Sequence, residues 1–420
     1  METPRAVISP MIYTHIRSMR DNPLLPGLKA IYIPDNLNWS IDLPAVILLG
    51  LGASLDIVEL NNSAISERSF FIPFLTSLAS KSPQLSHLAL RGTGNVSLEP
   101  VYRFTSLQRL QIRLSGIYLY PQTLRRLGNL TNLLDLTLDA SMVTPVPSDT
   151  RLFTSPPSGN FGMLKRLHII GIPSSITRVL DDINLTNLTA LVIDEAPDNT
   201  GSRPETFWKR CFDQISMCRA IEDIEINQLT HRSWGHEYYS LSTSWFMSLL
   251  TLQNVKSLVI NDSALSGGDT DFRSMARAFP KLKKLIVPPA YYSKGRTLAC
   301  LYYFSRYCPE LQEIKICIHS DILRNLEAIR YLSHPIPVNR RHPLQKLYIN
   351  SQFGAMKPAH TIQVAEFLHN IFSKLYILES YDSNTTEASN WAAVQQFYVA
   401  LGSAYNQGMS HHEVDMESDD

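Results

Sequence analysis

The sequence has no excess of charge of either sign, with 38 Lys plus Arg set against 38 Asp plus Glu in 420 residues. A balanced chain raises no long-range field of the kind that steers proteins to nucleic acid or anionic membrane, so neither partner is expected. Long apolar runs are missing too. The longest uncharged apolar stretch, Leu43 to Leu55, contains Pro44, Gly50 and Gly52 and is shorter than the roughly 20 residues a spanning helix needs. The N-terminal stretch holds Glu2, Arg5, Arg17 and Arg20 together with Pro4 and Pro10, which leaves no apolar segment for a secretory signal. An intracellular protein, cytoplasmic or nuclear, is expected.

Cysteine is scarce and odd in number. Cys211, Cys218, Cys300, Cys308 and Cys317 contain no C-x2-C pair, which argues for reduced thiols rather than a disulfide scaffold or a zinc site. Eight N-x-[ST] sequons are present, but they would be modified only in a secretory compartment.

Catalytic constellations are equally absent: there is no Walker loop, dinucleotide fingerprint or G-x-S-x-G elbow. The D-x-D of SGGDTD, residues 266–271, is better read as a helix cap at Asp271 than as a cation site. His231, His236 and Glu237 lack the H-E-x-x-H spacing that places two imidazoles on one helical face. Paired tyrosines at 238–239, 291–292 and 302–303 lack the interleaved cations of a single-strand nucleic-acid platform and read as half-buried aromatics between helix and sheet layers. No cofactor, no metal and no enzymatic activity are expected.

What the sequence does hold is a repeat. At 44% hydrophobic and 18% charged residues it can bury a large core, and an L-x-x-L-x-[LIV] hexad recurs along it. Copies begin at Leu28, Leu55, Leu85, Leu107, Leu133, Leu164, Leu188, Ile221, Val255, Leu282, Leu311, Leu344 and Leu375, the last degenerate because Ser380 takes its third apolar place. Between hexads the apolar period changes from two to 3.6. Examples are Phe71, Phe74, Leu75, Leu78; Phe272, Met275, Ala276, Phe279; and Val364, Phe367, Leu368, Ile371, Phe372. Pro83, Pro280 and Pro309 stop these helices just ahead of the next hexad.

A strand-helix unit of this size cannot cover its own apolar face, so neighbours must stack. The expected fold is α/β: a leucine-rich-repeat solenoid with a curved parallel sheet on the concave face and helices on the convex face. Residues 1–27 form an N-terminal flank or cap, 28–403 the solenoid, and 404–420 a disordered acidic tail. Trp391, Val394, Tyr398 and Leu401 mark the C-terminal capping helix. Asn or Asp follows the hexad at Asn61, Asp139, Asp194, Asn227, Asn261 and Asn350, where a short polar side chain suits the strand-to-loop transition.

The SPQLSHLAL turn (82–90), its FPKLKKL and CPELQEI versions, and VAEFLHNIFSKL followed by a Trp-Val helix resemble the leucine-rich region of fungal F-box proteins over roughly residues 24–403. The resemblance implies a non-enzymatic module that holds the substrate of a cullin-based ubiquitin ligase on its repeats. In such proteins an F-box binds the ligase adaptor, and residues 1–27 contain no clear F-box, so adaptor binding is expected only if an F-box exists upstream. The alternative is a leucine-rich-repeat scaffold or decoy with no ligase link.

Within each hexad positions one, four and six face the core, so the third, the fifth and the following residue project from the concave sheet. These columns give the expected protein-binding face: His87, Ala89, Arg91; Arg109, Gln111, Arg113; Asp135, Thr137, Asp139; Arg166, His168, Ile170; then Asp223 and Glu225. Either a charge-patterned patch takes a protein partner there, or opposite charges pair across strands on a merely solvated face.

Overall fold

A computed structural model describes residues 15, 19, 25–33, 50–61, 65, 68–94, 96–115, 119–141, 161–183, 185–196, 204–228, 240–261, 264–287, 295–332, 342–351, 353–380 and 385–414. The chain divides into two compact units, Met1–Phe207 and Trp208–Asp420.

In the first unit the hexads build strands β1 (Ala30–Ile33), β2 (Ile57–Leu60), β3 (His87–Thr93), β4 (Arg109–Ser115), β5 (Asp135–Asp139), β6 (Arg166–Gly171) and β7 (Ala190–Glu195). Each pairs in parallel with its successor in sequence, and equivalent hexad positions stand in register, as in His87↔Arg109↔Asp135↔Arg166↔Ala190. Helices α1 (Arg68–Lys81), α2 (Pro121–Leu127) and α3 (Pro173–Asp182) return the chain, with a 3-10 turn at Glu99–Arg103. Positions one, four and six are buried in the six hexads from Leu55 to Leu188, for example Leu107, Leu110 and Ile112. Phe71, Phe74, Leu75 and Leu78 of α1 and Ile176, Val179 and Leu180 of α3 are buried as well. Burying each such side chain contributes about 1.5 to 3 kcal/mol.

The second unit repeats the plan with β8 (Asp223–Gln228), β10 (Ser257–Asn261), β12 (Lys284–Val287), β13 (Glu313–Cys317), β14 (Lys346–Asn350) and β15 (Ile377–Ser380), all parallel. A side pair of parallel strands, β9 (Ser240–Ser242) and β11 (Ala264–Ser266), adds a sheet that the hexads do not announce. Its Leu241 and Leu265 are fully buried. The helices are α4 (Pro204–Ser216, whose Trp208–Ser216 part lies in this unit), α5 (Thr243–Phe246), α6 (Asp269–Ala278), α7 (Ala299–Tyr307), α8 (Ile322–Arg330), α9 (Pro358–Ile371) and α10 (Thr385–Val414). Both units thus have α/β leucine-rich-repeat architecture.

One turn closes unit after unit. The first hexad residue donates its N–H to the carbonyl three residues back: Leu85 to Ser82, Leu107 to Phe104, Leu133 to Leu130, Leu282 to Phe279 and Leu311 to Cys308, at 3.0 to 3.3 Å. Pro83, Pro280 and Pro309 sit inside these turns, where no helical N–H is required of them. Asn132, Asn187 and Asn254, each one residue ahead of a hexad, donate side-chain N–H to the turn carbonyls of the preceding repeat at Thr105, Gly162 and Arg219 (2.9, 2.7 and 3.1 Å). Such an amide satisfies a carbonyl that neither strand nor helix uses and sets the spacing between repeats.

The last strand is covered by α10. Trp391, Val394 and Tyr398 are buried. The Tyr398 hydroxyl donates to Phe372 O (2.6 Å) and accepts from Leu375 N (3.0 Å). Asn390 binds Gly354 O and Met356 N, and the buried Glu387 carboxylate accepts from the Ser351 N–H and hydroxyl. A solenoid end needs such a lid over its last apolar face. The helix continues to Val414, past the boundary at 403 where the acidic tail was expected to begin.

Candidate protein-binding face

Strands β3 to β6 bring the candidate side chains of the first unit onto one sheet face, because hexad positions three and five point away from the buried leucines. Arg109 and Arg166 are exposed; His87, Arg91, Gln111, Arg113, Asp135, Asp139 and His168 are half-buried. Ala89 and Thr137 were expected to project but are buried, at 0% and 6% exposure. Both stand at hexad position five, in register with Gln111 and His168 on the neighbouring strands.

The polar side chains fall into two linked groups. Arg91 donates from Nε to Gln111 Oε1 (2.8 Å) and pairs through a terminal nitrogen with Glu59 (3.4 Å), tying β2, β3 and β4 together. Arg113 Nη2 lies 3.4 Å from His168 Nδ1, and His168 Nε2 lies 2.6 Å from Asp194 Oδ2. Because an arginine can only donate and a carboxylate only accept, these neighbours select the tautomer with the proton on Nε2. His87 is held below its usual pKa chiefly by burial, with Arg109 and Arg91 adding to the effect against Glu59 and Asp135.

At the third position the column runs His87, Arg109, Asp135, Arg166 across adjacent strands. Opposite charges stand in register, yet among the described residues no ion pair joins Arg109, Asp135 and Arg166. Asp139 turns away, its Oδ1 accepting from the Ser141 N–H (3.0 Å) and hydroxyl (2.5 Å). Among the described residues Arg109 and Arg166 are the exposed cations of this face without a carboxylate partner, while the half-buried Arg113 rests on His168.

Glu59 and Asp194 belong to the face although sequence reasoning left them out. Glu59 occupies position five of its hexad, and Asp194 had been read as a loop former; the shared column was the signal that could have found both. In the second unit, Asp223 is exposed on β8, and Glu225 accepts from Asn227 Nδ2 (3.1 Å), whose Oδ1 accepts from Asn261 Nδ2 (2.7 Å). There the Asn after the hexad joins neighbouring strands.

The residues weighed for chemistry are otherwise engaged. Helix α6 begins at Asp269, so Asp271 caps it from inside the first turn, accepting from Gly268 N (2.9 Å). Asp269 binds the Thr297 N–H and hydroxyl (2.8 and 2.7 Å). His231, His236, Glu237 and the tyrosines at 238–239 and 291–292 lie outside the described residues. All five cysteines are buried thiols outside any disulfide, and burial pushes Cys218 and Cys308 up to about 12, which removes the thiolate a nucleophile needs. Among the described residues no group of His, Cys, Asp and Glu could hold a metal, and no helix is long and apolar enough to cross a membrane.

No family model matches the chain, and no curated protein does. Among solved structures it is similar to an internalin from Listeria monocytogenes (12% identity, 88% of this chain and 86% of that one, TM-score 0.44). It is also similar to a leucine-rich-repeat protein of Leptospira interrogans (12%, 90% and 89%, 0.34). A third likeness is to the complex of Rad7 and Elc1 in yeast (12%, 89% and 86%, 0.39).

Proposed function

We propose that the chain is a non-enzymatic, intracellular protein-binding module that takes an acidic segment of a partner protein on the sheet face of β3 to β6. The observation that carries this reading is the pair Arg109 and Arg166, two exposed guanidiniums on either side of Asp135 in the strand register, with no carboxylate bound to either among the described residues. Around them, Arg91 and Arg113 are braced by Gln111 and His168, so the face is pre-ordered and loses little side-chain freedom on binding. Asp135 between the two arginines gives the site register, rejecting a uniformly acidic ligand in favour of one with a gap or a cation there. Five buried thiols outside any disulfide suit a reducing compartment.

The test is reversal of Arg109 and Arg166 to Glu in the full chain, followed by association kinetics with a partner captured on the wild-type protein. Slower association and a flatter dependence on salt are expected, with the fold unchanged. Full affinity at low salt would return the strip to a solvated, self-compensating surface. Arg113 is the wrong residue to reverse, since a carboxylate there would meet Asp194 through His168.

The finer reading, substrate recognition for a cullin-based ubiquitin ligase, rests on the sequence resemblance to fungal F-box proteins. A pull-down of the ligase adaptor with this chain tests it; direct binding would remove the scaffold or decoy alternative.

A further inference from the structure

The second unit carries a lattice of arginines and tyrosines on the outer faces of α6 and α7, away from the sheet. Arg273 and Arg277 are four residues apart on one helix, and Tyr303 and Tyr307 four apart on the next, so each arginine meets a tyrosine across the groove. The Arg273 guanidinium lies 5.5 Å from the Tyr303 ring centre and that of Arg277 5.0 Å from Tyr307. Arg306 adds a third cation, 5.7 Å from Tyr307, and donates to the Tyr302 hydroxyl at 3.2 Å. Arg277 donates to the Tyr307 hydroxyl at 3.0 Å and draws its phenol below the usual pKa. Tyr302 and Tyr303, expected to be half-buried between helix and sheet, are half-buried as Tyr307 is, but beside the exposed Arg273, Arg277 and Arg306, while Cys300, Leu301 and Phe304 fill the core side.

Among the described residues no carboxylate pairs with any of the three arginines. The nearby acids are engaged: Asp269 and Asp271 with backbone and Thr297, Glu310 with Lys283 at 3.4 Å. Arg277 and Arg306 each spend one terminal N–H on a tyrosine hydroxyl, which holds the guanidinium in place and leaves its other N–H groups for a carboxylate, and Arg273 is held by its ring contact alone. We infer that this α6–α7 surface is a second docking site, for a short acidic segment of a protein. Three guanidiniums on a chain of zero net charge match a few carboxylates; nucleic acid binding would need a longer basic track.

Hexaglutamate serves as the probe, titrated by fluorescence anisotropy at low salt against the full chain with Arg109 and Arg166 already reversed to Glu, so that the sheet face cannot contribute. Saturable binding is expected, weakened roughly tenfold or more when Arg277→Gln and Arg306→Gln are added, with unchanged far-ultraviolet circular dichroism. Tyr303→Leu and Tyr307→Leu, which keep the charge but remove the braces, should weaken it by a smaller factor. Absence of saturable binding, or binding indifferent to the arginine replacements, would overturn the inference. So would tighter binding of a single-stranded DNA decamer than of hexaglutamate at the same salt. Because the sheet face is disabled throughout, failure here leaves the function proposed for β3 to β6 untouched.

Discussion

The two units build the same repeat but place their polar groups differently. In the first, buried side-chain polarity among the described residues is chiefly hydroxyl, at Ser82, Thr137, Ser175 and Thr177, with Glu195 the charged exception. Among the described residues its charged contacts between repeats lie outside the core, Arg91 with Glu59 and His168 with Asp194 on the sheet face and Arg126 with Glu99 between α2 and the 3-10 turn. The second unit buries Arg296, Asn325, His342, Glu387 and Asn390 among its apolar layers. Arg296 donates to Cys317 O (3.1 Å) and Leu265 O (2.5 Å) with its guanidinium 4.0 Å from the Phe272 ring centre. Asn325 binds Leu298 N and the carbonyls of His319 and Asp321. Identical hexads therefore leave open whether adjacent repeats are joined through polar bonds in the core or on the surface. Irregular connections decide it, because each leaves backbone groups that water cannot reach.

The largest expected effect attacks the part the units share. Leu110→Asp places a carboxyl at a position 2% exposed in the first unit and should cost about 3 to 5 kcal/mol, read as a lower midpoint in urea unfolding. An unchanged midpoint would mean that hexad position four does not face the core. Arg296→Met sharpens the contrast: it keeps the volume but removes the guanidinium bonds to the buried Cys317 and Leu265 carbonyls, a loss of about 2 to 4 kcal/mol, whereas Arg166→Met on the first unit's surface should move stability by less than about 0.5 kcal/mol.

Acid should act through His342. Its Nε2 donates to Cys308 O at 3.1 Å and its Nδ1 accepts from Leu344 N, and burial lowers its pKa from 6.5 to about 4. Between those values the unfolded chain binds a proton that the folded chain does not, so the stability is full above pH 6.5 and falls as the pH drops toward 4. The loss amounts to about 3 kcal/mol. Unfolding titrations between pH 7 and pH 4 should show this component in the wild type and lack it in His342→Asn. The smallest effect concerns the asparagines ahead of the hexads: Asn132→Ala or Asn254→Ala should each cost about 1 kcal/mol, equally in the two units. A marked difference would show that the polar spacing between repeats also differs.

The hexads and helical stripes were legible because a leucine at a fixed register has one physical outcome in a parallel stack, burial, and Phe71, Met275, Val364 and Trp391 follow the same rule. The columns of the sheet face follow from the two-residue period of a strand, and the register places His87, Arg109, Asp135 and Arg166 side by side. Which of these charges pair was not legible. Arg113 reaches past β5 to His168, Asp139 folds back onto Ser141, and Asp135 binds neither neighbouring arginine, outcomes set by side-chain rotamers and local relief rather than by order in the chain. The β9–β11 sheet and the α6–α7 lattice escaped for the same reason, since contacts across a groove depend on how far one irregular loop carries its helix.

By itself, the sequence determined the α/β repeat, the buried leucine columns, the proline-marked turns and the capping helix, because each is a local pattern with a single favourable burial. Only the tertiary structure decided, among the described residues, where cations stand without carboxylates and which polar groups go inside. Those depend on distances between residues about 20 to 35 positions apart, and a difference of a few ångströms separates an ion pair from an open guanidinium.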